Sequence, residues 1–157
     1  MLAASLAAVT LITGCGGSQS GDKKDAAKEQ KTLVVGTEAT FPPFESVEND
    51  KVVGFDMDLT QAICDKLGYK MEIKNIGFDA LIPALKSGQI DVIAAGMDAT
   101  PERKKQVAFT DVYYKGGYTI VVRKDNTDIT GYDTITGKTV GAQVASKAGD
   151  HAKEHGA

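Results

Sequence analysis

The sequence has 157 residues, of which 42% are hydrophobic and 25% are charged, a composition typical of a soluble globular protein with room for one full domain and part of another. Its formal net charge is −3, so it lacks the excess of basic residues that nucleic-acid binding requires. Nucleic acid is therefore not expected among its partners.

The first 15 residues predict a lipoprotein signal peptide. An apolar run, too short to span a bilayer, leads into ITGC at 12–15. This tetrapeptide resembles the lipobox of bacterial lipoproteins, so Cys15 is the predicted site of lipidation (palmitate) and of anchoring to the cell membrane. One feature departs from the pattern, because no Lys or Arg precedes the apolar run. Residues 16–31 are rich in small and polar side chains and predict a flexible linker.

Residues 32–122 predict a first lobe in which strands alternate with helices. The predicted elements are a strand at 32–36, a loop at 36–45 broken by two prolines, a short strand at 52–53, a helix at 55–66, a strand at 71–76, a helix at 78–86 and a strand at 91–95. This alternation favours a mainly parallel sheet with flanking helices.

The first of these helices has an apolar spacing that predicts its buried face. The residues concerned are Phe55, Leu59, Ala62, Ile63 and Leu67. Cys64, on the same helix, is expected to be a small buried side chain, and with Cys15 assigned to lipid no disulfide is expected.

A junction at residues 94–103 is the most informative local signal. Gly96 ends a strand, Thr100 is a helix N-cap and Pro101 suits the first helical position. Free backbone N–H groups and the positive end of a helix dipole favour an anion here, most simply a carboxylate. Arg103 opposes that dipole, so it needs a local reason to be there; the alternative is a solvated surface charge.

Beyond the junction the pattern predicts strands at 107–110 and 118–123, a polar crossing at 124–130, a strand at 138–144 that starts a new sheet, and a helix capped by Ser146. Residues 123–157 are thus the crossover and the start of a second lobe, too short to bury a core. His151 and His155 share a helix face but lack a third ligand, so no metal site is expected.

Four motifs occur in a characteristic order: GTEATFPPFE at 36–45, VGFDMDL at 53–59, FDALIPAL at 78–85 and AGMDATPERKK at 95–105. Together they resemble the polar amino-acid-binding proteins of bacterial ABC importers, solute-binding protein family 3. The resemblance implies an α/β, periplasmic-binding-protein-like two-lobe fold, with the first lobe largely present and the second truncated. It implies an extracytoplasmic, monomeric, non-enzymatic protein without cofactor or metal, which delivers an L-amino acid to an ABC permease. The sequence would then be an N-terminal fragment, marginally stable and weakly binding.

The resemblance also implies roles for individual residues. Arg103 would clamp the ligand's α-carboxylate, and the backbone of Ala95 and Gly96 would bind its α-groups. Phe41 and Phe78 would sandwich the ligand; the alternative for both rings is a place in the core.

The remaining candidates concern ligand choice. Glu38 occupies the place of an acid that contacts polar groups of the ligand, although it could also be a solvated loop residue. Asp98 stands where the family commonly has Ser or Thr, and two carboxylates repel unless a cation lies between them, which favours cationic or amide ligands. In the second lobe, residues 144–146 depart from the usual Ser-Gly-Thr; Ser146 keeps a hydroxyl and Gln143 is a weaker candidate.

Two other functions remain open at this point. The same two-lobed module can precede a transmembrane helix and a signalling domain. Some relatives of the fold are periplasmic dehydratases, in which Glu38 or Asp98 would serve as general acid. Against the enzyme, no His or Cys lies beside the four motifs, and the two His residues occur only in the tail, at 151 and 155.

Overall fold

The computed structural model describes residues 30–157. The predicted signal peptide, Cys15 and the linker up to residue 29 lie outside the described residues. Within residues 30–157, no helix combines the length and the apolar character needed to cross a membrane. The elements, in chain order, are β1 (Thr32–Thr37), β2 (Thr40–Phe41), β3 (Glu45–Glu48), β4 (Lys51–Val53), α1 (Phe55–Leu67), β5 (Lys70–Asn75), α2 (Phe78–Lys86), β6 (Val92–Ile93), α3 (Pro101–Lys104), a 3-10 turn (Tyr132–Thr134) and α4 (Lys147–Glu154).

A parallel sheet of order β5-β1-β6 forms the centre, with β1 in the middle. Adjacent side chains of a strand point to opposite faces. Val34 accordingly packs with the cluster around Leu81 of α2, whereas Val35 packs with Met57 of α1. One helix therefore covers each face, which confirms the predicted parallel sheet with flanking helices.

The predicted loop at 36–45 is in part a strand pair. β2, β3 and β4 form a small antiparallel sheet, in which Phe41 lies opposite Glu45. The two prolines occupy the turn between β2 and β3, where no ladder hydrogen bond is needed. The prolines lie outside the ladder, as predicted, but the predicted loop is wrong for the residues on either side, which form β2 and the start of β3.

The bounds of α1 are close to the predicted ones, but its predicted buried face is wrong. Phe55, Ile63 and Leu67 are 44%, 46% and 59% exposed. The buried side chains are Asp56, Met57, Thr60 and Cys64. The helix is rotated relative to the hydropathy pattern because Asp56 is held inside by hydrogen bonds, described below, which brings Met57 onto the sheet. Cys64 is buried and free, as expected.

Residues beyond α3 depart furthest from expectation. The strand expected at 91–95 is only Val92–Ile93, and no strand forms at 107–110, 118–123 or 138–144 within the part of the chain that the structure describes. A strand needs a neighbouring strand for its backbone hydrogen bonds. Residues 118–123 have no such neighbour in the described part of the chain, and Val121 is 88% exposed. α4 confirms the last predicted helix. Ser146 is its N-cap residue, but the Ser146 hydroxyl donates to the Gln143 carbonyl instead of capping.

Candidate functional site

The candidate site begins where the parallel strands end. The chain passes from β1 to β5 on one side of β1 and then to β6 on the other side. Such a switch point leaves a crevice at the carboxyl ends of the strands. Glu38 follows β1, and residues 94–96 follow β6; the two segments are tied by the Ala94 N–H, which donates to the Gly36 carbonyl at 3.0 Å. The structure therefore brings Glu38, Ala95 and Gly96 to one edge of the sheet.

Arg103 is positioned by the start of α3. The Thr100 hydroxyl accepts from the Arg103 N–H at 3.2 Å, which confirms the predicted N-cap. The Arg103 side chain folds back: Nη1 donates to the Asp98 carbonyl at 2.8 Å, and Cζ lies 5.3 Å from the centroid of the Phe78 ring. Cation–π contact and a charge-assisted hydrogen bond supply the local reason for a cation here.

Arg103 is therefore held by contacts and is only partly exposed, so the solvated-charge alternative is not supported. The helix-dipole part of the expectation needs correction, because α3 has only four residues and so a weak dipole. The guanidinium itself is the main positive group at this position.

Residues 143–146, which lie just before α4, also reach the site. Arg103 Nη2 donates to the Ala145 carbonyl at 2.9 Å. The Gln143 side-chain amide donates to the Glu38 carboxylate. Ser146 is tied back to Gln143 by its hydroxyl, at 2.8 Å. Arg103 and Glu38 thus each connect the first lobe to this segment.

The carboxylates of Asp98 and Glu38 each accept a hydrogen bond from a neutral side chain. The Tyr118 hydroxyl donates to Asp98, and the Gln143 amide donates to Glu38. Burial, followed by the hydrogen bond to Asp98, raises the pKa of Tyr118, so this hydroxyl stays protonated. No cation is needed to hold either carboxylate in the observed arrangement.

The two phenyl rings have different surroundings. A cavity of about 430 Å³ is bordered by Phe41, Gly96 and Asp98 together with residues 109–114 and 116–118. Its volume is within the range of small-molecule sites. Phe41 is 52% exposed and stacks on Phe44 at 5.4 Å, whereas Phe78 lies outside the cavity lining, against Arg103. The predicted sandwich therefore stays a prediction.

A buried acid that the sequence argument did not select lies behind this site. Asp56 is 1% exposed, and its Oδ2 accepts from the Gly96 N–H at 2.8 Å and from the Tyr113 hydroxyl at 2.9 Å. The resemblance implies that the backbone of Gly96 either accepts from or donates to the ligand. Its N–H is already engaged by Asp56, so the carbonyl is the group that Gly96 can offer.

Glu45 is a second buried acid, also 1% exposed. Burial is the main cause that raises the pKa of Glu45, to about 8, and the charge of Asp56 and a hydrogen bond with its side chain add to it. Burial and the hydrogen bond to Asp56 likewise raise the pKa of Tyr113. The available signal in the sequence was a carboxylate beside aromatic residues in two motifs, at 44–45 and 55–56.

Among residues 30–157, no three His, Cys, Asp or Glu side chains converge as a metal site would require. The rings of His151 and His155 lie 4.8 Å apart and pack against Tyr132, at 4.7 and 4.9 Å. This pair is part of a small aromatic cluster that holds α4 to the 3-10 turn.

The fold is similar to that of solved amino-acid-binding proteins. It aligns with an ancestral arginine-binding protein bound to arginine, with a TM-score of 0.77 and 54% identity over 80% of this chain and 56% of that one. An ancestral arginine-binding protein bound to glutamine matches with a TM-score of 0.77 and 52% identity over the same shares. A sheet wound on both faces, with a polar crevice at its switch point, defines a lobe of a periplasmic-binding-protein-like fold.

The family model of bacterial extracellular solute-binding proteins, family 3, matches residues 33–154. The chain belongs to this family, whose members bind solutes. The arginine-binding extracellular protein ArtP of Bacillus subtilis (strain 168) is 45% identical over 143 residues, which cover 91% of this chain and 54% of ArtP. The chain thus spans about half the length of the relatives it matches.

Proposed function

We propose that this protein is the extracytoplasmic solute-binding component of an ABC importer and captures a cationic or polar L-amino acid, with arginine preferred. The observation that carries the proposal is the position of Arg103, whose guanidinium bridges the Asp98 carbonyl of the first lobe and the Ala145 carbonyl of the following segment. Its support from relatives is that both the B. subtilis protein and the ancestral protein are named as arginine-binding.

Arg103 is suited to the α-carboxylate of the ligand. A guanidinium has five N–H donors, and the two carbonyls above use two of them, so a carboxylate can be bound through the others. The two hydrogen bonds to backbone carbonyls and the cation–π contact with Phe78 hold the guanidinium in place before a ligand arrives, which reduces the entropy lost on binding.

Glu38 and Asp98 are suited to the positive or amide end of the ligand. Their present partners, Gln143 and Tyr118, are neutral donors. A guanidinium or ammonium that replaces them forms charge-assisted hydrogen bonds, which are about twice as strong as neutral ones. The roles of Phe41, Ala95 and Ser146 in contacting the ligand belong to the same proposal.

Transport follows from closure of the two lobes. A ligand that contacts both Arg103 and residues 143–146 stabilises the closed form relative to the open form. A membrane permease then receives the closed, monomeric protein, which a lipid on Cys15 keeps at the membrane surface. Lipidation and the permease rest on the sequence motif and the family alone.

The test is an amino-acid titration of the chain by calorimetry and by amide-proton NMR, which detects affinities down to the millimolar range, about −4 kcal/mol. Arginine is expected to bind most tightly, with lysine, histidine and glutamine weaker and glutamate weakest, because Glu38 and Asp98 repel a second carboxylate. Binding of glutamate with failure of the other four would overturn the proposed preference. Binding of none of the five would overturn the proposed function.

A further inference from the structure

Glu45 and Asp56 form a pair of buried acids outside the set that contacts the proposed ligand. Both are 1% exposed, and both carboxyl groups approach Gly96: Asp56 Oδ2 accepts from the Gly96 N–H at 2.8 Å, and a Cβ added at Gly96 would lie 4.0 Å from Glu45 Oε1. Each has one carboxyl oxygen, Glu45 Oε2 and Asp56 Oδ1, that lacks a hydrogen-bond partner among the described residues. Buried polar atoms without partners are rare and need an explanation.

A single proton explains both unpaired atoms. Two ionised carboxylates are acceptors only, so they cannot bond to each other and they repel. If one is protonated it becomes a donor, and the contact between the two becomes a hydrogen bond. Asp56 Oδ2 already accepts from Gly96 and Tyr113, contacts that stabilise a carboxylate, so Asp56 is the acceptor and Glu45 carries the proton.

The two members of the pair belong to different parts of the site. Glu45 lies opposite Phe41 in the β2–β3 pair, and Asp56 holds the Gly96 N–H. Phe41 and Gly96 face each other closely, because a Cβ added at Gly96 would lie 3.3 Å from Phe41 Cε1. A bond between Glu45 and Asp56 therefore fastens the segment of Phe41 to the segment of Gly96.

We propose that Glu45 and Asp56 share one proton at neutral pH and act as positioning residues, which hold Phe41 and Gly96 at a fixed spacing beside the proposed amino-acid site. The role in ligand binding rests on the proposed function, whereas the shared proton does not. The titratable groups that act on Glu45 are Asp56 and Glu38, and Tyr113 shares the Asp56 contact. Glu38 and Asp56 are acids, so both favour the protonated form of Glu45, and Tyr113 stays neutral and adds no opposing charge.

The direct test is carboxyl-carbon NMR of the ligand-free chain as a function of pH. Glu45 is expected to titrate above all other glutamates, and the amide signal of Gly96 is expected to move with it. In Asp56→Asn the pKa of Glu45 falls, because a like charge is removed, but stays above normal since burial remains. Titration of Glu45 in the ordinary range, in the wild-type chain, would overturn the proposal even if Asp56→Asn fails to fold.

Stability against pH gives a second readout. The pKa of Glu45 is raised in the folded state, from 4.5 to about 8. The stabilisation of the folded chain by the protonated Glu45 carboxyl is therefore complete below pH 4.5 and is lost as the pH rises towards 8. The urea midpoint should fall over this window. Glu45→Gln, which keeps a donor without a titrating proton, should remove that part of the pH dependence and stay folded, whereas Glu45→Ala is destabilised at pH 6.

Glu48→Gln, an exposed position on the same strand, is the matched control and should retain the wild-type pH dependence. A Glu45→Gln profile that falls as steeply as the wild type would contradict the shared proton. If the wild-type chain fails to bind arginine while Glu45 titrates with a raised pKa, the result counts against the proposed function alone.

Discussion

Arg103→Ala is expected to abolish detectable amino-acid binding while leaving the chain folded. A hydrogen bond to a charged group contributes about 1.5–3 kcal/mol of binding free energy, so its removal is expected to weaken binding by at least about 10-fold. The side chain is partly exposed and lies outside the two core clusters, so its removal should have little effect on the first-lobe core. Calorimetry with arginine, alongside a urea unfolding curve, measures the two effects separately.

Two variants on the same short helix serve as controls. Arg103→Lys keeps the charge but loses the planar fork of donors, so binding should be intermediate. Lys104→Ala removes an exposed charge one residue away and should bind arginine like the wild type. Equal binding by Arg103→Ala and the wild type would show that Arg103 does not hold the ligand's carboxylate.

Gly54→Ala is expected to lower the stability of the chain by about 3 kcal/mol or more, because two costs add. Gly54 has φ 128° and ψ 178°, a conformation essentially restricted to glycine. A Cβ there would lie 2.3 Å from the Phe44 carbonyl oxygen and 2.9 Å from that of Pro43, both backbone atoms. These carbonyls accept from the Asp56 and Phe55 N–H groups, both at 3.0 Å.

The clash would therefore also displace Asp56, and with it the support of Gly96. Urea unfolding measures the loss of stability. Gly131→Ala is the matched control, since Gly131 is extended and a Cβ there meets no atom within 4 Å; it should change stability by less than about 0.5 kcal/mol. Equal midpoints for the two variants would mean that the turn at Gly54 is not constrained as described.

The first lobe was predictable where local signals and packing agree. β1 and α2 match the predicted ranges closely because their apolar patterns, glycine boundaries and buried positions coincide, and Thr100 caps α3 as its side chain requires. The orientation of α1 was not predictable from hydropathy. Its buried face includes Asp56 and Thr60, which a hydrophobic pattern counts as exposed.

The site was predictable in part for a similar reason. The four motifs led to Arg103, Glu38 and Asp98, but not to their partners Ala145 and Tyr118, because such contacts depend on how distant segments meet. The three missing strands show the same limit. Their β-branched residues favour strand formation, but a strand forms only beside a partner.

We propose that arginine binds between Arg103 and the acids at the edge of the parallel sheet. Amide and guanidinium NMR signals of the chain, followed during titration with L-arginine, test it most directly. The signals of Gly96, Asp98, Arg103 and Ala145 are predicted to shift together and with one affinity. Shifts confined to residues away from this edge, such as α4, or no shifts at millimolar arginine, would contradict it.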